Sequence, residues 1–289
     1  MNLNIKITTS VLALFALLSV APVLHGDTLF EADGGSGNIY EFSGGIQSTF
    51  ASGLNNPFAL DFDSSGNMFV GDASGNIYKF TSGGSRSTFA SGLTGVEDMA
   101  FDKSGNLFAA DTASGNIYEF TSGGIRSTFA SGLNLPVGIA FDSSGNLFEA
   151  DSGSGNIYEF SGGVQSTFAS GLSAPIDLAF DSSGNLFVAD GGSGTIYEFS
   201  GGIRSTFASG LNFPDGIAFD STGNLFEADA NSGNIYEFTS GGIRSTFASG
   251  LNDPTDVGFA PTPEPNALLL LGSCLAVVCA MGRRRRRPL

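Results

Sequence analysis

Short apolar runs alternate with glycine-rich turns along most of the chain, and this pattern returns about every forty residues. In the unit that begins at Pro136, apolar runs occupy residues 138–142, 147–151, 156–160 and 164–169. The runs have the length of strands and contain β-branched and aromatic residues, whereas none shows the 3.6-residue period of a helix. The unit therefore predicts four short antiparallel strands joined by tight turns.

The unit occurs six times, and an aspartate at its second turn recurs at intervals of 39 or 40 residues. These aspartates are Asp33, Asp72, Asp111, Asp151, Asp190 and Asp229. A fixed period of this size indicates stacked or ringed units. One four-stranded meander cannot bury both of its faces, whereas six meanders around an axis can. We therefore predict an all-β fold, a six-bladed β-propeller of four-stranded antiparallel blades.

The positions at which the repeats begin and end predict a closed ring. The first repeat opens at residues 27–30, inside a second strand, and the last run, Pro254 to Phe259, is a first strand. The two fragments complete one blade, as closure of a ring requires. An open solenoid would need capping ends instead. A two-rung parallel β-helix is the alternative, and the absence of tryptophan disfavours a WD-type propeller.

Two apolar segments flank the repeats and divide the chain into three parts. Residues 1–26 combine Lys6 with an apolar run at 11–20, which is typical of a signal peptide in helical form. An uncleaved N-terminal anchor is the alternative. Residues 27–260 form the propeller domain, and residues 261–289 form a C-terminal segment with an apolar helix of about 22 Å.

The C-terminal segment resembles the PEP-CTERM sorting signal of bacterial exported proteins. An apolar stretch lies between a short motif and an arginine cluster, which together comprise Pro263, Glu264, Pro265, Arg283, Arg284, Arg285, Arg286 and Arg287. The resemblance implies an exosortase-type transpeptidase as partner and a transient anchor in the inner membrane. It also implies delivery to the cell envelope or an exopolysaccharide matrix. A simple tail anchor is the alternative.

The composition excludes several classes of function. From residue 27 to residue 264, acidic side chains exceed basic ones by 22, so the surface repels nucleic acid. The sole histidine is His25, and the two cysteines, Cys274 and Cys279, lie in the apolar tail. The repeat region therefore has no histidine or cysteine for triad catalysis, thiolate chemistry or an ordinary zinc site.

The repeats resemble two groups of propellers. Residues 214–220, Pro-Asp-Gly-Ile-Ala-Phe-Asp, followed by Gly-Asn-Leu-Phe at 223–226 and Ala-Asp at 228–229, are similar to the NHL repeat. They are also similar to the gluconolactonase/regucalcin group. The resemblance implies that the strand beginning with this proline is innermost and opens onto a central channel. It does not imply one activity, because such propellers host enzymes, binding modules and scaffolds.

The candidate site residues are those at which the copies differ near the predicted channel. Two consecutive positions there supply five carboxylates, predicted to ring one channel mouth: Glu97, Asp98, Asp177, Asp215 and Asp256. Oxygen ligands alone favour a hard cation such as calcium. The resemblance to gluconolactonase-like enzymes implies a divalent metal, and Asp215 has the context of one of their ligands. This sequence departs from the pattern of those enzymes, because neither of the two positions holds an asparagine in any repeat.

These observations lead to two hypotheses. The first is an exported, non-catalytic propeller that binds a glycan or protein, or serves as a scaffold, in the envelope or matrix, with no resident cofactor. The second is a divalent-metal-dependent lactonase-type hydrolase that uses the carboxylate ring. The other aspartates are interpreted as turn-capping residues. For Glu31, Glu149 and Glu227, pairing with an arginine on a neighbouring strand is a further hypothesis.

Overall fold

The computed structural model describes residues 27–261. Within this range, 24 strands form six four-stranded antiparallel sheets arranged as the blades of a propeller. From the axis outwards, blade 1 contains β24 (Pro254–Phe259), β1 (Leu29–Asp33), β2 (Asn38–Ser43) and β3 (Ile46–Ala51). Blade 2 contains β4 (Pro57–Phe62), β5 (Met68–Asp72), β6 (Asn76–Phe80) and β7 (Arg86–Ala90). Blade 3 contains β8 (Val96–Phe101), β9 (Leu107–Asp111), β10 (Asn116–Phe120) and β11 (Arg126–Ser131).

The remaining blades repeat this order. Blade 4 contains β12 (Pro136–Phe141), β13 (Leu147–Asp151), β14 (Asn156–Ser161) and β15 (Val164–Ala169). Blade 5 contains β16 (Pro175–Phe180), β17 (Leu186–Asp190), β18 (Thr195–Ser200) and β19 (Ile203–Ser209). Blade 6 contains β20 (Pro214–Phe219), β21 (Leu225–Asp229), β22 (Asn234–Phe238) and β23 (Arg244–Ser249), with a 3-10 turn at Ala230–Ser232.

Blade 1 closes the ring, because its innermost strand comes from the C-terminal end of the repeats. β24 pairs antiparallel with β1, and Leu29 lies opposite Phe259. The innermost strand of each blade also packs against those of both neighbouring blades. Ring closure is therefore confirmed, and the parallel β-helix alternative is wrong.

Phenylalanines fill the six interfaces between neighbouring blades. At the interface of blades 3 and 4, the rings of Phe108, Phe129, Phe141 and Phe160 lie 5.0–5.5 Å apart, mostly edge to face. The same four positions recur at every interface, which explains why the chain needs so much phenylalanine. Such pairs contribute about 0.5–1.5 kcal/mol each beyond the apolar area that they bury.

The propeller has two faces, which are named here by their connections. The terminal face carries the turns between the first and second and between the third and fourth strands of each blade. The described chain enters and leaves there, at Leu29 and Phe259. The loop face carries the turns between second and third strands and the loops that connect successive blades.

The predicted signal and apolar helices fall on residues 1–26 and 262–289, which lie outside the described residues. Within residues 27–261, no helix is long and apolar enough to cross a membrane.

Candidate functional site

The six innermost strands surround an axial channel that contains two cavities. A cavity of about 320 Å³ on the side of the terminal face is lined by strand ends such as Phe62 and Phe180. A cavity of about 20 Å³ on the side of the loop face has room for about one water molecule. Asp98, Asp177 and Asp256 line both cavities. These three aspartates, named here the ring carboxylates, therefore lie between the cavities and not at an open mouth.

Each ring carboxylate joins its own blade to the next one. The Oδ1 atom of Asp98 accepts the N–H of Met99 at 2.6 Å, and its Oδ2 atom accepts the N–H of Ile139 in blade 4, also at 2.6 Å. Asp177 makes the same pair of bonds from blade 5 to blade 6, and Asp256 makes it from blade 1 to blade 2. The ring carboxylates therefore satisfy backbone donors that would otherwise be unpaired in the channel wall.

A small residue alternates with the ring carboxylates because the strands approach closely. A Cβ atom added to Gly138 would lie 2.6 Å from the Cα atom of Asp177. A Cβ atom added to Gly216 would lie 2.5 Å from the Cα atom of Asp256. Blade 2 has Ala59 at this position. The alternation along the sequence is therefore a requirement of packing.

Asp61 is a fourth bridging carboxylate, which the sequence analysis missed. Its Oδ1 atom accepts the N–H of Phe62 at 2.7 Å, and its Oδ2 atom accepts the N–H of Phe101 in blade 3 at 3.0 Å. The other five copies have alanine or glycine at this position. Comparing the copies two positions further along the strand would have found it.

Burial raises the pKa values of the bridging carboxyls. Desolvation raises the pKa of Asp177 to about 7 and that of Asp61 to about 7, although two backbone hydrogen bonds favour each ionised form. Desolvation, followed by repulsion from Asp177, raises the pKa values of Asp98 and Asp256 well above their usual value. The ring carboxylates therefore titrate together and do not carry three full charges at neutral pH.

The other two predicted site residues, Glu97 and Asp215, line the smaller cavity with Phe58, Val137 and Ile176. Desolvation raises the pKa of Glu97. The pKa of Asp215 lies well above its usual value, mainly through desolvation and then through repulsion from Asp177, Glu97 and Asp253. All five predicted carboxylates therefore meet around one channel.

Proximity to one channel does not give these carboxylates the geometry of a metal site. Within residues 27–261, no three histidine, cysteine or acidic side chains form a group that could hold a metal ion. The ring carboxylates instead direct both oxygens at backbone N–H groups. The residues present therefore do not fit the divalent metal that the family resemblance implies.

Three glutamates are fully buried in the second strands of blades 1, 4 and 6. Neither carboxyl oxygen of Glu31, Glu149 or Glu227 has a hydrogen-bond partner. Desolvation raises the pKa values of Glu31 and Glu149 to about 9 and places that of Glu227 well above its usual value. The carboxyls of Glu31 and Glu149 are therefore neutral at pH 7.

The predicted pairing of these glutamates with arginine is wrong. The guanidinium groups of Arg86, Arg126, Arg204 and Arg244 instead lie over tyrosine rings of their own blades, 3.8–5.2 Å from the ring centroids. These tyrosines lie at the half-buried margin of the interfaces. Stacking keeps each guanidinium partly in water, whereas a pair with a buried glutamate would remove it from water.

The turn aspartates have the predicted capping role and a second one. The Oδ1 atom of Asp142 accepts the N–H groups of Ser144 and Asn146, both at 2.8 Å. Asp151 accepts the N–H of Ser154 at 3.0 Å, and its other oxygen accepts the N–H of Asn134 at 2.7 Å. The equivalents of Asp151 therefore also fix the loops that connect successive blades.

Those inter-blade loops contain an unusual set of backbone conformations. Five non-glycine residues at one repeated loop position have positive φ angles: Asn56 (51°), Leu135 (59°), Ala174 (137°), Phe213 (67°) and Asp253 (64°). The left-handed conformation costs roughly 1–2 kcal/mol for most residues and clusters at functional sites. Leu135 and Phe213 are nevertheless 50% and 39% exposed. We name this set, with Gly95 of blade 3, the loop crown.

The loop crown is also one of the two positions at which all six copies of the repeat differ, the other being the position two residues later. The turns of the terminal face are nearly identical, and residues 142–146 recur at 63–67 and 181–185. The crown positions instead hold amide, aliphatic, aromatic and acidic side chains. The surface of the loop face is therefore asymmetric although the fold is close to sixfold.

The residues of the predicted sorting motif, Pro263 to Pro265 and Arg283 to Arg287, lie outside the described residues.

Known structures share the architecture. A chain in a crystal structure of a nidogen/laminin complex aligns over 82% of this chain and 99% of its own length, with a TM-score of 0.74 and 22% identity. A streptogramin B lyase aligns over 81% of this chain and 95% of its own length, with a TM-score of 0.61 and 15% identity. A catalytically inactive variant of virginiamycin B lyase from Staphylococcus aureus, in a structure with quinupristin, aligns over 71% of this chain and 77% of its own length. Its TM-score is 0.59 and its identity is 15%.

At these identities the similarity shows the fold alone: an all-β six-bladed propeller. No protein-family model matches the chain, and no curated protein shows significant similarity to it.

Proposed function

We propose that the protein is a non-catalytic binding or scaffold module whose loop crown holds a glycan or protein ligand. The observation that carries this proposal is the loop crown, where exposed, differing side chains have a strained backbone. Differences among the copies at exposed positions are expected where an asymmetric ligand binds, whereas the buried differences in the channel wall are explained by packing and hydrogen bonding. The nidogen/laminin complex supports the proposal, because that propeller-containing structure is a protein assembly.

The chemistry of the channel supports a non-catalytic role. The ring carboxylates bind backbone N–H groups on both sides, so they have a structural task in the channel wall. The inactive lyase variant has a histidine replaced by alanine, whereas residues 27–261 of this chain contain no histidine. Nothing in the donor arrangement favours the lactonase-type alternative, which stays a prediction.

The crown is tested by replacing Leu135 and Phe213 with asparagine. Asn56 already occupies the equivalent position with a φ of 51°, so the backbone accepts this side chain. We expect the double variant of the full chain to lose binding on a polysaccharide and glycan array, with a melting temperature close to that of the wild type. Ile203→Ser on the terminal face is the control and should bind normally. Unchanged array binding by the double variant would reject the crown as the site.

The metal-dependent alternative has its own test. Calcium should leave the melting temperature of the full chain unchanged, and a chelator should not lower it. A calcium-induced increase that Asp215→Ala abolishes would favour the hydrolase hypothesis over the binding module.

We also propose that the protein is exported and sorted to the envelope or matrix by an exosortase-type transpeptidase. The resemblance of residues 263–287 to the PEP-CTERM signal supports this route. Deleting residues 262–289 should release the propeller from cells, as fractionation and immunoblotting would detect. Unaltered cell attachment after the deletion would contradict the sorting route without affecting the crown.

A further inference from the structure

Five of the six blades present one strongly exposed aliphatic side chain at the same turn of the terminal face. These residues are Ile46, Ile125, Val164, Ile203 and Ile243, and each is 70–76% exposed. Blade 2 has Ser85 at this position. A single exposed apolar side chain is ordinary on a protein surface, whereas the recurrence of five at the same turn gives this face a regular ring of apolar groups. We name these five residues the aliphatic rim.

The strand register places the aliphatic rim at the end of the propeller where the described chain enters and leaves. In blade 1, Phe259 lies opposite Leu29, Leu29 opposite Phe42, and Phe42 opposite Gln47, which follows Ile46. The corresponding turns of the other blades lie at the same end of their sheets. The rim and both chain ends therefore share one face.

The chain beyond that face identifies what covers the rim. The described residues end at Pro261, and an apolar run begins six residues later, at Ala267, and continues to Met281. Six residues span at most about 20 Å, even fully extended. An apolar segment that enters a bilayer would therefore hold the terminal face at the surface of that bilayer.

The charges around the rim favour one type of lipid. Arg126, Arg204 and Arg244 follow rim residues directly, but their guanidinium groups lie over tyrosines of their own blades. Those of Arg126 and Arg204 also donate to the Gly92 and Gly171 carbonyls of inter-blade loops, so they point away from the rim. Aspartates of the neighbouring turns, such as Asp142, lie closer to the axis on the same face. The overall acidic excess opposes binding to a strongly anionic surface.

We infer that the aliphatic rim docks on a zwitterionic phospholipid bilayer, with the loop crown directed away from it. The five side chains enter the interfacial region, where apolar groups are more stable than in water. This inference goes beyond the proposed function, because a tail anchor requires no contact between the propeller and lipid.

Tryptophan fluorescence tests the inference, because the chain contains no tryptophan. Full-length Ile203→Trp and Phe213→Trp variants each carry one probe, on the rim and on the opposite crown. Both are bound to phosphatidylcholine vesicles with and without brominated acyl chains. We expect bromine to quench the rim probe several-fold more strongly than the crown probe, with a blue-shifted emission only at the rim.

A second variant separates docking by the rim from simple tethering. Replacing the four other rim residues with serine, as in Ser85 of blade 2, should strongly reduce quenching of the Ile203→Trp probe while the tail is unchanged. Equal weak quenching at rim and crown, or failure of the protein to float with vesicles, would overturn the inference. A blue shift that grows with protein concentration in the absence of vesicles would also overturn it, and would identify a second copy as the occupant.

Discussion

The acidic side chains of the channel wall hold the propeller together through individual hydrogen bonds. Asp98 shows the principle, because one carboxylate serves N–H donors in two blades. The buried glutamates show the opposite case, since Glu149 has neither a hydrogen-bond partner nor contact with water. Similar carboxyls therefore contribute to stability with opposite signs, according to the donors that surround them.

Asp98→Ala should lower the free energy of unfolding by about 2–4 kcal/mol, because two backbone N–H groups lose their partner. Urea denaturation at pH 7 measures this change. Glu97→Ala is the matched control, since the Glu97 side chain lines the same channel and no hydrogen bond from backbone to its carboxylate occurs among the described residues. If both variants lose the same free energy of unfolding, the hydrogen bonds by which Asp98 joins two blades do not contribute specifically to stability.

Glu149→Val should raise the free energy of unfolding at pH 7 by about 1–3 kcal/mol, because it removes an unpartnered buried carboxyl. Val70 and Val188 occupy the equivalent positions in blades 2 and 5 and are fully buried, so the interface accepts valine. Thermal unfolding of the wild type and the variant at one pH measures the change. Destabilisation would indicate that the carboxyl has a partner.

The stability of the wild type should also fall as pH rises from about 4.5 to about 9. In that window the unfolded chain ionises Glu149, whose pKa in the folded protein is about 9, so protons favour the folded state. Each such group contributes a slope of at most about 1.4 kcal/mol per pH unit. Melting temperatures across this range should decline less steeply for Glu149→Val than for the wild type.

The strands and turns of a blade differ in how well local sequence predicts them. For blade 4, the predicted second and fourth strands agree with β13 and β15, at Leu147–Asp151 and Val164–Ala169. β12, however, begins at Pro136, two residues before the predicted run, because Pro136 pairs with Asp151 across a register shift. A bulge of this kind depends on the partner strand and leaves no clear periodic signal.

Gly155→Ala should be markedly more destabilising than Gly145→Ala. Both glycines have positive φ angles, 70° and 89°, so each substitution strains the backbone. A Cβ atom at Gly155 would also lie 2.4 Å from the backbone oxygen of Leu172, whereas at Gly145 it would meet nothing within 4 Å. Denaturation curves should show a loss of about 1 kcal/mol for Gly145→Ala and clearly more for Gly155→Ala. Similar losses would mean that the loop yields to the added methyl group.

Closure joins the six blades into a single cooperative structure. β24 contributes the inner strand of blade 1 and also packs against β20 and β4 on either side. Asp256 and Thr255 of this strand bind backbone groups of blade 2, so the last strand connects three blades. Stability should therefore depend on a few residues at the end of the repeats.

A chain that ends at residue 253 should lose cooperative unfolding, because it lacks β24. A chain that ends at Pro261 should retain the melting temperature of the full propeller. Calorimetry and far-ultraviolet circular dichroism compare the two truncations. A cooperative transition without β24 would show that five complete blades are sufficient and that closure is dispensable.

The amino-acid sequence alone established the repeat, the four strands of each unit and the closed ring. These features follow from periodicity and from where the copies begin and end, whereas the approach of Asp98, Asp177 and Asp256 to one channel was implied by the resemblance to known propellers. Only the tertiary structure decided that those aspartates bridge blades, that Asp61 joins them, and that Glu31 and its equivalents are buried without partners. The reason is that hydrogen-bond partners and solvent exposure depend on which atoms of neighbouring blades meet. Those atoms belong to residues about forty positions apart in the sequence, and only the folded ring brings them together.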